Sequence, residues 1–348
     1  MNRKRESQMS HPVSWKKKFL FRVSALCLGM LMALAILEIT LRIFNPLGVR
    51  QRASWHFLLW EAVIPSKNPE KVWEYRPGYR RKLVGYRVSL NSLGLRGGEI
   101  SEEKGKKSLR VMILGDSMAF GMSGEQEDCM PAQLQKLLAE SMPDTRVEVI
   151  NGGIIGYTTL QEEALLYEIY PKLRPDLVVL WWVHNDVELT GAANPASQEE
   201  ELRSLVGYKS RNLYRYLLHW GYEVLPCSVA LLRTLTIARR EGDQSHFQFD
   251  PERNPEGWLK NRESLARINH YLKTEGVPLV LYSFGKYDEI AEICRNLKIP
   301  YSYSVEKAGV EHEREYAVHS CDPHFNREGN ALVASTLKKS IMEYCLLK

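Results

Sequence analysis

The 348-residue chain has little of what would place it at once in a specialised class. It contains no internal repeat and no low-complexity tract, which excludes repeat arrays and compositionally biased tails. Cysteine is sparse, and the six residues follow neither a zinc-ligand spacing nor one that identifies a disulfide pair. His312, His319, Cys321 and His324 crowd into one segment, but HEREY at 312–316 is not the two-histidine helix of zinc proteases. No metal and no cofactor is expected. Basic excess is also missing from most of the chain. Residues 1–22 carry seven Lys and Arg against Glu6 alone, a local charge of +6 within a total of +5, so the remainder sums to −1. A near-neutral body has no electrostatic footprint for nucleic acid. With 44% hydrophobic and 26% charged residues the composition is globular, and the length suits one large domain with additions.

Charge is absent altogether from residues 23–37, VSALCLGMLMALAIL. As a helix this run spans roughly 22 Å, short of the ~30 Å hydrocarbon core of a bilayer. Extended to residues 19–41 it suffices, with Arg22 snorkelling at one end and Glu38 at the far interface. Arg42, four residues on, is placed to pair with Glu38 on one helix face. The basic flank sets the direction, leaving the N-terminus in the cytoplasm and everything after about Phe44 outside. A buried core helix would waste that flank. A cleaved signal peptide is the stronger rival, because Ala33-Leu34-Ala35 has the small-x-small form, yet it lies inside the run. The expectation is a basic cytoplasmic segment over 1–18 and an uncleaved signal-anchor over 19–44 in the inner membrane; secretion after cleavage is the alternative.

Residues 45–107, rich in Pro, Trp, Tyr and Arg, read as a linker with a small β-hairpin, RKLVGYRVSL (81–90), leading into the turn-like NSLGLRGGE (91–99). Strand and helix then alternate. Short apolar, β-branched runs at 109–115, 147–152, 175–183 and 277–284 read as buried strands, with a fifth following Ile299. Amphipathic stretches between them read as helices, so a parallel sheet covered by helices follows. The alternation pauses over about 187–254, a helical insertion whose stretch 213–240 reads as a packed lid or, less simply, a membrane-surface helix. Trp181-Trp182 reads as core.

Four short segments fall at ends of these strands or just before the last helix, where open α/β sheets place their sites. GDSMAFG (115–121) puts Ser117 at a sharp strand-to-helix turn. NGGIIGYTT (151–159) supplies glycines that let backbone approach a ligand. HND (184–186) offers Asn185, whose uncharged N–H groups suit developing negative charge, and His184 as a possible second imidazole. DPHFNREGN (322–330) sets Asp322 and His324 two residues apart, so that one segment supplies an imidazole and the carboxylate that orients it. Each segment alone is a common turn or helix cap. Their joint occurrence, in order, is what carries weight.

Together they resemble the four blocks of the SGNH (GDSL-like) hydrolase family, over about residues 109–345. Gly115-Asp116-Ser117 matches the first block, Gly156 (with Gly153 as the lesser candidate) the second, and Asn185 the third. Asp322, His324 and Gly329 match the last. ALAILEITLR and NSLGLRG also look like the leader of membrane-anchored bacterial members. In one departure, Val183 stands where the family has Gly two residues before its Asn, at the edge of the oxyanion pocket. The resemblance implies a flavodoxin-like three-layer α/β/α sandwich over 108–348. It implies catalysis by Ser117, Asp322 and His324, and an oxyanion hole of Ser117, Gly156 and Asn185, with Asp116 structural. The implied activity is that of a serine esterase removing O-acyl, in particular O-acetyl, groups from an extracytoplasmic carbohydrate or lipid ester. An O-acyltransferase using the same triad and a non-catalytic glycan-binding or assembly protein are the alternatives. No protein partner is implied.

Overall fold

The protein is represented by a computed structural model that describes residues 14–122, 124–188, 213–237, 251–306, 315–319 and 322–343. Residues 1–13 of the expected basic segment 1–18, much of the insertion (189–212 and 238–250), His312, Cys321 and Cys345 lie outside the described residues. Cys27, Cys129, Cys227 and Cys294 are free thiols.

Five parallel strands form the central sheet: β5 (Ser108–Gly115), β6 (Arg146–Gly153), β7 (Leu177–Trp181), β8 (Leu279–Gly285) and β9 (Tyr301–Val305), in the order β6-β5-β7-β8-β9. That order reverses direction between β5 and β7, which opens a crevice at their carboxyl ends. The inner strands β5, β7 and β8 are apolar on both faces because both are covered. Val111, Ile113, Val179, Trp181, Val280 and Tyr282 point to one side, against α4 (Met130–Ser141) and α10 (Arg327–Ile341). Met112, Leu114, Val178, Leu180, Leu279 and Leu281 point to the other, against α5 (Thr159–Leu173), α8 (Pro255–Thr274) and α9 (Asp288–Leu297). The result is the three-layer α/β/α sandwich. Trp181 and Trp182 are both fully buried, as expected of core.

The N-terminal helix α1 (Trp15–Phe44) is long and apolar enough to cross a membrane, and its position near the N-terminus is also that of a signal sequence. It runs unbroken through Ala33-Leu34-Ala35. Glu38 and Arg42 pair at 2.8 Å. Glu38 is buried, however, and not only by that pair. Its carboxylate accepts from the backbone N–H groups of Cys227 (3.1 Å) and Ser228 (2.9 Å) and from the Ser228 hydroxyl (2.8 Å). It thereby caps the N-terminus of α7 (Pro226–Ile237), which with α6 (Leu213–Val224) forms the described part of the insertion.

Residues 101–107 are an exposed connection, whereas residues 45–100 contain folded elements of their own. They hold α2 (Val49–Phe57), which continues into a π turn over Leu58–Ala62, and two small antiparallel sheets. The sheets are β1 (Val63–Pro65) with β2 (Trp73–Tyr75), and β3 (Arg80–Lys82) with β4 (Arg87–Ser89). The second is the expected hairpin. Val49, Ala53, Phe57, Leu58, Trp73, Tyr75, Leu90 and Leu95 are all buried in the same cluster as α5 and α8. Helix α2 escapes a reading by pattern because polar Gln51, Ser54 and His56 are buried beside its apolar residues. That mixture blurs the amphipathic period on which such readings depend.

Candidate active site

The loops after β5, β6 and β7 emerge side by side because the strands are in register at their ends, Gly115 opposite Gly153 and Leu114 opposite Leu180. Ser117 opens a one-turn helix, α3 (Ser117–Phe120), whose N-cap is Asp116. Asp116 Oδ1 accepts from the Met118 N–H at 2.8 Å, the structural role expected of it. The Ser117 N–H, first in the turn, has no partner within the helix. A Cβ at Gly153 would collide with the backbone N of Phe120, so this glycine lets β6 lie directly against the serine turn. Gly156 has φ +70°, on the rim of the same crevice. The second-block glycines therefore divide their work: Gly153 packs and Gly156 turns.

The last segment forms β11 (Asp322–Phe325), paired with β10 (Ala317–His319). Alternate residues of a strand share a face, and Asp322 and His324 are both buried while Pro323 between them is exposed. Asp322 Oδ1 lies 2.6 Å from His324 Nδ1 and also accepts the His324 backbone N–H at 3.1 Å. A carboxylate only accepts, so Nδ1 carries the proton and Nε2 is left as acceptor. Ser117 Oγ stands 2.8 Å from that Nε2. Hydroxyl, imidazole and carboxylate thus touch in series. Asn326 Oδ1 caps α10 through the Gly329 N–H (2.9 Å), and a Cβ on Gly329 would meet Tyr316 at 2.8 Å. These contacts fix where β11 ends.

Asn185 lies in a 3-10 turn, His184–Val187, and its Nδ2 donates to Asp116 Oδ2 at 3.1 Å. Asp186 holds that turn from beneath. It accepts from the Val183 N–H (2.7 Å) and the Thr159 hydroxyl (2.8 Å), and Thr159 Oγ1 in turn accepts from Asn261 Nδ2 (2.7 Å). Val183 has φ −134°, extended backbone that needs no glycine, so the departure from the family pattern carries no strain. His184 is exposed. Burial pushes the Asp116 carboxyl up, against the Met118 N–H bond and the fields of His324 and His184 that lower it. Burial and the Asp186 and Asp116 charges raise Glu162 well above its usual range, and both its oxygens lack a hydrogen-bond partner among the described residues.

Three contributions to the site were not legible as such in the sequence, and all come from residues 45–107. Trp55 of α2 sets its ring edge-on to the His324 ring, with centroids 5.1 Å apart. Trp73 Nε1 donates to the Ile155 carbonyl (3.1 Å) while Tyr75 Oη accepts the Ile155 N–H (3.2 Å), gripping the loop one residue before Gly156. Arg96, in NSLGLRG, is buried beneath the serine turn. Its guanidinium donates to the carbonyls of Phe120 (3.0 Å), Gly121 (2.6 Å) and Gly124 (2.5 Å) and lies over the Phe120 ring. The only signal for Arg96 is its place in a quoted motif. Glu61, His219 and Glu223 are grouped closely enough to hold an ion, but both carboxylates are already paired with Arg81.

Residues 113–280 match the family described as GDSL-like Lipase/Acylhydrolase. No curated protein matches the chain. Among solved structures it is similar to TesA (13% identity, 67% of this chain and 98% of that one, TM-score 0.41). It is also similar to the psychrotrophic esterase EstA from Pseudoalteromonas sp. (12%, 69% and 99%, 0.40) and to the acetyl xylan esterase AlAXEase (14%, 67% and 100%, 0.39). Likeness at those scores carries no argument about substrate. The family match covers the serine, glycine and asparagine blocks, and the sheet brings the histidine block to them from beyond it. The chain carries a hydrolase domain of the GDSL-like lipase/acylhydrolase (SGNH) family.

Proposed function

We propose that the protein is a serine esterase working through an acyl-enzyme. In this reading His324 Nε2 takes the Ser117 proton as Oγ attacks the ester carbonyl, then delivers it to the departing alcohol. Asp322 holds the Nδ1–H tautomer and stabilises the imidazolium. Water then attacks the acyl-enzyme with His324 again as base, releasing the acid. The N–H groups of Ser117 and Gly156 and an N–H of Asn185 hold the oxyanion. The substrate is an O-acyl ester, an O-acetyl group above all, on an extracytoplasmic carbohydrate or lipid, with α1 as a retained inner-membrane anchor and the hydrolase domain outside. The basic flank of α1 supports that orientation. The observation that carries the reading is the series Ser117–His324–Asp322 at 2.8 and 2.6 Å.

Transfer of the acyl group to a sugar hydroxyl would use the same residues. Trp55, which screens one edge of the imidazole from water, is the feature that favours it. Product analysis with a sugar acceptor present separates the two. A fluorophosphonate probe tests the shared step: it labels the wild type and leaves Ser117→Ala unlabelled. A folded wild type that stays unlabelled would favour a non-catalytic glycan-binding role instead.

A further inference from the structure

Large apolar side chains are exposed in a pattern that the hydrolase fold does not require. Among the described residues outside α1 and the following Leu47, six belong to α6 and α7, and only Tyr167 and Leu259 lie elsewhere. Tyr216, Trp220 and Val224 recur every four residues along α6, with Leu217 beside them, so they form one stripe. Leu232 and Leu235 lie three apart on α7. Trp220 is 65% exposed, although the opposite face of the same helix is well packed: Tyr222 is buried and stacks on His56 of α2, with centroids 3.8 Å apart. A soluble surface rarely concentrates apolar exposure in this way without a partner.

The neighbour of this hairpin indicates the partner. Helix α7 packs on α1 and is capped by Glu38, the residue at the outer end of the apolar run. With 30 residues α1 is about 45 Å long, against ~30 Å of hydrocarbon, so its last turns stand clear of the lipid where α7 meets them. Phe44 and Leu47, at the exit of α1, are exposed apolar side chains as well. We infer that α6 and α7 form an interfacial hairpin lying in the headgroup layer of the outer leaflet, where the last turns of α1 leave the hydrocarbon, with its exposed stripe and Trp220 turned to the lipid. This inference rests on α1 being retained as an anchor. It seats the active site on the membrane, because α2 connects the two: His56 packs on the hairpin and the adjacent Trp55 packs on His324.

The test uses the full-length chain in phosphatidylcholine vesicles, with a benzophenone amino acid replacing Leu217, Trp220, Leu31 of α1 or Leu259 of α8, one at a time. Irradiation is expected to give lipid adducts from positions 217, 220 and 31 and none from 259. Lipid adducts at 31 but not at 217 or 220 would overturn the inference and leave the anchor standing. So would adducts from 217 and 220 to a second copy or to the same chain, which would name a protein as the covering partner. Absence at 31 as well would overturn the anchor and the inference together. The readout does not depend on Ser117, so it stands or falls apart from the esterase reading.

Discussion

Asn185 illustrates how much of the site a single side chain carries. Its Nδ2 already holds Asp116, the cap of the serine turn, and a carboxamide has a second N–H to offer an oxyanion. Asn185→Ala should lower kcat by about 10²–10³ while leaving the fold intact. Steady-state hydrolysis of an aryl acetate measures it, and a loss confined to KM would contradict the role. Glu162 makes a prediction about pH. Its native carboxyl is held well above the ordinary value of 4.5, whereas in the unfolded chain it ionises normally. Above that value the folded state binds more protons than the unfolded one, so stability must fall as pH rises towards the native value. Glu162→Gln removes its share of this dependence, while Asp186, also pushed up by burial, keeps its own. Thermal unfolding of the detergent-solubilised protein at pH 5 and pH 8 should show a smaller loss in the variant, and equal losses would refute the assignment. Ser117, His324, Asp322 and Asn185 stood out because their residue types suit the chemistry and their four motifs occur together at strand ends and before the last helix. Glu162 was not, since nothing in TTLQEEALLYEIY distinguishes it from Glu163, buried but paired with Arg267, or from the exposed Glu168.

At the scale of elements, the segment between α1 and β5 is the main departure from expectation. It braces the serine turn through Arg96, the Gly156 loop through Trp73 and Tyr75, and His324 through Trp55. The β5–β9 alternation was plain because β5, β7 and β8 are continuous apolar runs separated by amphipathic helices, with the more polar β6 and β9 at the sheet edges. Short strands such as β1 and β2, three residues each, have too little sequence for any period to emerge. Their role is decided by long-range bonds that no local pattern encodes. Arg96→Met should leave the Gly124 carbonyl without its donor, and the Phe120 and Gly121 carbonyls with only their weaker ones, from Asn151 Nδ2 (3.2 Å) and the Gly124 N–H (3.3 Å). At about 1–3 kcal/mol for an acceptor stripped of its charged donor, the expected effect is a clear fall in melting temperature. An unchanged melting temperature would show that the arginine is not a brace.

At the scale of the whole molecule, the sandwich follows from the apolar strands, and the crevice follows from the strand order. The sequence order of the four motifs follows from neither, because β11 reaches Ser117 across 207 residues of chain. The anchor was visible as an uncharged run, whereas its attachment through Glu38 to the insertion was not, because a glutamate at a helix end reads equally well as an interfacial charge. The central claim is that Ser117 and His324 act as one unit. Residues acting as a unit are strongly non-additive when removed. Measuring aryl acetate hydrolysis by the wild type, Ser117→Ala, His324→Ala and the double variant decides the matter: the account predicts a double variant no slower than either single one, and losses that multiply would contradict it.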